Sequence, residues 1–145
     1  MNVGIFAILL SLKNDNKYIE RISSLSGLSK SNPIISFALA IMMFSMAAIP
    51  PFAGFFAKFY IFVAAIESNL FFLALIGVLS SVVAAFYYIR IIKVMYFDES
   101  SNSFELNLNY KVKLVILLSS IFISLFIIKP SLIINFSDLV SKSIL

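Results

Sequence analysis

The chain has 145 residues, a formal net charge of +4, 61% hydrophobic content and a mean hydropathy of +1.05. Charged residues make up 12% of it, against about 25% in soluble domains, and the apolar residues form long runs, so the composition is that of an integral membrane protein. The scattered lysines leave no nucleic-acid footprint, and a sequence without Cys or His excludes disulfides, thiolate metal sites, imidazole catalysis and a haem on its usual ligands.

In chain order, residues 1–12 contain an apolar run, Asn2 to Leu12, stopped by Lys13. Its eleven residues reach only ~17 Å at helical rise, against a hydrocarbon core of roughly 30 Å. No basic segment precedes the run and no small-x-small cleavage pattern follows it, which argues against a signal peptide. The run predicts the second half of a spanning helix, and hence a chain that is a piece of something longer. Residues 13–32 are a polar connection with Lys13, Asp15, Lys17, Glu20, Arg21 and Lys30. They predict a solvated loop at the membrane surface, with a short surface helix around Ile22 and Leu25 as the alternative.

Asn32-Pro33 marks a helix start, with proline in the first turn. From Pro33 to Ile66 the one charged residue is Lys58. This run exceeds the ~20 residues that cross a bilayer, and Pro50-Pro51 lies inside it. Prolines remove backbone donors and clash with the preceding turn, so the run predicts an interrupted helix over 33–67, with halves near 33–48 and 52–67. In hydrocarbon such a break survives only where protein or trapped water covers the freed carbonyls.

Glu67-Ser68-Asn69 predicts a short turn, followed by an antiparallel helix over 70–89 that ends at Arg90. Gly77, Ser81 and Ala85 recur every four residues, flanked by Ser80 and Ala84, a spacing that lets another helix backbone approach closely. Tyr87 and Tyr88 suit an aromatic belt, and Val94 to Phe97 continue the helix along the interface. Residues 98–110 form a polar surface loop. A last span covers 114–128, and residues 130–145 form a tail with interfacial helical spacing at Leu132, Phe136, Leu139 and Val140. The fold class is therefore all-α, a membrane helical bundle fragment in a single domain over 1–145. It has three full transmembrane helices, one interrupted at Pro50-Pro51, and a partial N-terminal one.

Loops 13–32 and 90–113 fall on one side of the membrane and hold eight Lys/Arg, while the other side, with the tail, holds Lys129 and Lys142. The positive-inside rule puts the first side in the cytoplasm, or in the matrix of a mitochondrion, and the carboxyl terminus outside.

Lys58 is the candidate functional residue. It stands nine residues before Glu67, ~13 Å along a helix, which is beyond the reach of a snorkelling stem. Gly54, Lys58 and Ala65 share a narrow sector of the second half-helix, with Phe62 beside them, so the lysine faces protein. An intramembrane amine of this kind marks a proton or ion path; the alternative is a structural charge. Water held by the break and by Ser45, Ser80 and Ser81 is the expected route, with Pro50, Pro51 and Gly54 shaping it. The residues give no paired buried carboxylates, no nucleotide loop and no redox site, and no cofactor is expected in this chain.

The stretch Ala48-Ile49-Pro50-Pro51-Phe52-Ala53-Gly54-Phe55-Phe56-Ala57-Lys58-Phe59-Tyr60 resembles the interrupted twelfth helix of the antiporter-like subunits of respiratory complex I, NADH:quinone oxidoreductase. These are relatives of the large subunits of multi-subunit sodium/proton antiporters. Ala74 to Arg90, Val94 to Phe97 and the opening Asn2-Val3-Gly4-Ile5-Phe6 are similar to the N type of that family, called subunit 2 in mitochondria. The resemblance covers residues 1–97, and beyond them only hydropathy matches. It implies a fourteen-helix subunit of which this chain is the last quarter to third, in a bacterial cytoplasmic or mitochondrial inner membrane. It also implies that Lys58 matches the terminal proton-channel lysine, and that the partners are the other membrane subunits and the preceding helices of the same subunit. Phe59-Tyr60 after the lysine favours the N type over the M and L types. Two other readings stay open: part of a D-type component of a multi-subunit sodium/proton antiporter, and a structural remnant that conducts nothing. The family's first discontinuous helix and its central lysines and glutamate have no counterpart in these residues, so the gene is split or the product truncated.

Overall fold

The computed structural model describes residues 1–14, 17–18, 21–99, 105–106 and 110–128. Its elements in order are α1 (Asn2–Ser11), β1 (Leu12–Asn14), β2 (Lys17–Tyr18), a 3-10 turn (Ile22–Leu25), α2 (Leu28–Ser31), α3 (Pro33–Met46), α4 (Ala53–Glu67), α5 (Phe71–Phe97), β3 (Glu105–Leu106) and α6 (Tyr110–Ile128). The tail over 130–145 and most of the loop over 98–110 lie outside the described residues.

The helices begin and end where local chemistry directs. α3 opens with Pro33, whose missing N–H belongs to a turn that has no intrahelical acceptor. It stops at Met46, before Pro50-Pro51, and α4 resumes at Ala53. Both half-helices close in the same way. Ala48 N–H donates to Ser45 O at 3.1 Å and Ile49 N–H to Phe44 O at 3.2 Å; Asn69 N–H donates to Ile66 O at 2.9 Å and Leu70 N–H to Ala65 O at 2.8 Å. Each pair is a Schellman closure around one left-handed residue, Ala48 at φ 57° and Asn69 at φ 60°. Asparagine tolerates that region, whereas alanine carries a Cβ strained by it.

α1 packs against α6 and α3, α3 lies between α5 and α6, and α4 runs beside α5 with lighter contact to α3 and α6. The core gathers Ile5 and Ile8 of α1, Leu39, Met42 and Met43 of α3, Ile92 and Met95 of α5, and Ile116 and Ile123 of α6. Methionines suit this irregular seam: a Cβ on Gly4 would stand 2.7 Å from the Met42 thioether. Phe56 and Phe126 bring α4 to α6, with ring centroids 5.3 Å apart.

Three features differ from the sequence expectations. The connection over 13–32 is more than a solvated loop: Leu25 and Leu28 are buried in the core, because two apolar side chains on a 3-10 turn and a helical turn can be covered by α5 and α3. A small antiparallel sheet, in the order β2-β1-β3, joins this connection to the one before α6. Such short pairings have no alternating pattern to announce them. Finally, α6 starts at Tyr110, ahead of the apolar window; α5 runs unbroken through Arg90 and Lys93 to Phe97, the continuation that the sequence predicts. No Gly or Pro follows Gly77 in α5, and Arg90, Lys93, Lys111 and Lys113 end the apolar stretch without ending the helix.

Among the described residues, Phe71–Phe97 is the helix long and apolar enough by itself to cross a membrane, and Asn2–Ser11 and Pro33–Met46 are shorter apolar helices. At 27 residues α5 extends ~40 Å, more than the roughly 30 Å hydrocarbon core.

Candidate functional site: the helix break and Lys58

The break between α3 and α4 leaves carbonyls at one helix end and amides at the other, and the two ends satisfy each other. Ala48 and Ile49 take the Ser45 and Phe44 carbonyls. The Lys58 Nζ donates to the Met46 carbonyl at 3.2 Å, reaching back across the break from the second turn of α4. In the other direction, Gly54 N–H donates to Ser45 Oγ at 3.1 Å in a buried bond. Phe52 N–H closes the intervening turn on Ile49 O at 3.0 Å, and the Phe44 and Phe52 rings stack across it with centroids 6.0 Å apart.

The arrangement has an electrostatic sense. The carbonyl end of α3 carries partial negative charge, and the amine sits on its last helical carbonyl. Lys58 is half-buried, its tip held by the end of α3. Gly54 is the buried residue of α4, and Gly54, Lys58, Phe62 and Ala65 form its inward sector, while Ala57, Ile61 and Ala64 are exposed. A Cβ on Gly54 would collide with the Ser45 carbonyl oxygen; glycine there is a condition of the close approach.

Of the residues singled out from sequence, Gly54 and Lys58 meet at the break, and Pro50 and Pro51 form its exposed outer edge. Ser81 lies on the partly buried face of α5 with Gly77 and Ala85. The Phe62 ring of α4 lies against Gly77 on that face. Ser80 is turned outward, its hydroxyl donating to Gly77 O at 3.0 Å on the exposed side. Sequence reasoning offered Ser45 as a water ligand only and did not offer the Met46 carbonyl; a backbone acceptor and a cap donated from another helix have no sequence signature.

The family described as NADH:quinone oxidoreductase/Mrp antiporter, TM, matches residues 1–84 of this chain. The chain belongs to that family. Among curated members, subunit N of NADH-quinone oxidoreductase from Rhodospirillum rubrum is 48% identical over 135 residues, covering 93% of this chain and 28% of that protein. Subunit N from Pelagibacter ubique is 51% identical over 131 residues, and that from Parvibaculum lavamentivorans is 44% identical over 145 residues, the whole of this chain. The chain thus spans about 28% of the length of the subunit N proteins it matches. A chain in the structure of respiratory complex I from Thermus thermophilus with bound aureothin superposes with a TM-score of 0.76 at 20% identity, over 91% of this chain and 30% of that one. This antiporter-family member is a membrane protein built almost wholly of helices, with the fold of part of the complex I membrane arm.

Proposed function

We propose that the chain is the C-terminal part of a proton-translocating, antiporter-like membrane subunit of NADH:quinone oxidoreductase, with Lys58 in its proton path. The observation that carries this reading is the Lys58 Nζ on the Met46 carbonyl at the helix break. A charged amine in an apolar span is costly unless a function or a partner holds it. Here the partner is a helix end whose dipole favours the charge, in a break that can admit water. An amine held by one bond to a carbonyl can leave it when a neighbouring charge or water chain competes, and return when reloaded with a proton. The curated relatives bear the name of subunit N of NADH-quinone oxidoreductase, which supports this assignment over a component of a sodium/proton antiporter.

In this reading α3–α4, α5 and α6 span the membrane. Pairing of β1 with β3 brings together the two connections rich in lysine and arginine, and the positive-inside rule puts them in the cytoplasm of a bacterium. The partners are the other membrane subunits of the complex, the remaining helices of the same subunit and the lipid bilayer. The exposed apolar residues of α5, from Phe72 through Leu79 to Phe86, offer a surface for them.

The test is Lys58→Ala and Lys58→Arg in the full-length subunit within the assembled complex. Proton translocation per electron is measured in membranes, with the amount of complex quantified alongside. Both variants should assemble and lose coupling, because a guanidinium stays protonated and cannot complete the cycle. Normal coupling in Lys58→Ala removes the proton-path reading.

A further inference from the structure

We propose that Ser45 is the positioning residue of the break, holding the half-helices at the separation at which Lys58 reaches Met46. The proposal rests on the reading of Lys58 as a proton carrier and adds to it the device that aims the amine. The first turn of α4 has amides without intrahelical acceptors, and its N-cap residue, Phe52, makes no side-chain cap bond. The acceptor comes instead from α3: Ser45 is fully buried, and its Oγ takes the Gly54 N–H at 3.1 Å. This is an N-cap supplied by a different helix.

The geometry makes that cap one half of a two-point clamp. Ser45 and Met46 are consecutive at the end of α3. Gly54 and Lys58 are one turn apart on one face of α4. The Ser45–Gly54 bond and the Met46–Lys58 bond therefore join the same two surfaces at adjacent points. Gly54 permits the approach, since a Cβ there would strike the Ser45 carbonyl oxygen, and the Ser45 hydroxyl fixes it. Without the hydroxyl the Gly54 amide has no partner in an apolar site, the approach loosens, and the Lys58 amine is no longer held to one position. Small displacements of a proton-transferring group matter because transfer needs hydrogen-bond reach.

The experiment compares Ser45→Ala, Ser45→Thr and Lys58→Ala in the full-length subunit in native membranes, reading protons per electron and complex content together. Ser45→Ala should leave complex content near wild type and lower proton translocation per electron below wild type, because a displaced transfer group relays protons more slowly. Ser45→Thr, which keeps the hydroxyl, should restore translocation. If translocation falls only in proportion to complex content, with protons per electron unchanged, Ser45 is merely structural and the proposal is overturned. Should Ser45→Ala fail to assemble, Ser45→Cys, a weaker acceptor of similar size, is read by the same ratio: a reduced ratio supports the proposal and an unchanged one overturns it. If Lys58→Ala uncouples and the Ser45 variants do not, the positioning role alone fails. If Lys58→Ala stays coupled, the lysine reading itself fails.

Discussion

The Phe62 ring of α4 stands where it would lie 2.7 Å from a Cβ on Gly77 of α5. The two antiparallel helices therefore meet aromatic edge to bare backbone. This contact fixes the register of α5 against the half-helix that carries Lys58, and so sets which part of α5 lies level with the amine.

Gly77→Leu should lower the amount of assembled subunit far more than Val78→Leu. The first overpacks the contact, at a cost of about 1–3 kcal/mol; the second adds volume on an exposed face, where changes stay within about 0.5 kcal/mol. Adding Phe62→Ala to Gly77→Leu should recover part of the loss. Complex content and thermal inactivation in mild detergent measure both, and equal tolerance at the two positions would count against the packing.

Gly54→Ala should be the harsher of the two glycine-to-alanine changes. At Gly77 the new methyl meets the far end of a side chain that can swing, whereas at Gly54 it meets the Ser45 backbone oxygen. Moving that oxygen means moving the end of α3, a strain of about 3 kcal/mol or more. Thermal inactivation of each variant gives the ranking.

Ala48→Gly should stabilise the subunit. Ala48 holds φ 57° at the close of α3, a conformation that costs an L-residue roughly 1–2 kcal/mol and glycine nothing. Part of that gain returns as the greater freedom of glycine in the unfolded chain, leaving about 0.5–1 kcal/mol. Ala48→Val should destabilise at the same position, and Asn69→Gly should be nearly neutral, because asparagine already tolerates φ 60°. The midpoint of thermal unfolding in detergent checks all three.

Leu28→Ala should cost about 2–5 kcal/mol, although the residue lies in a segment that is polar on average. It is fully buried between α5 and α3. Lys30→Ala, two residues on and exposed, should change stability by less than about 0.5 kcal/mol. The same unfolding midpoint separates them.

Local chemistry by itself determined the helices and the break. Apolar runs in a chain with 12% charged residues demand helices, since hydrocarbon leaves backbone groups no other partner. Pro33 begins one helix, and Pro50-Pro51 prevents α3 from running into α4. The spacing of Gly54, Lys58 and Ala65 assigned the lysine to the inward side of α4, because a side chain's face follows from helical periodicity alone. Apolar windows were a poorer guide to where helices begin: α6 starts at Tyr110, ahead of the apolar window at Leu114, since charge limits insertion in lipid without breaking a helix.

Only the tertiary structure decided what the break holds. The Ser45 hydroxyl and the Gly54 amide are nine residues apart, and the Met46 carbonyl and the Lys58 amine twelve. Such pairings depend on the angle at which one half-helix leaves the other, which no local pattern encodes. The left-handed Ala48 was equally hidden, because alanine gives no sign of a positive φ where glycine would. The burial of Leu25 and Leu28 and the strand pairing of β1 with β3 arise from elements distant in sequence folding onto one another. A chain's periodicity names the face a residue occupies; the partner waiting there is set by the packing of the whole.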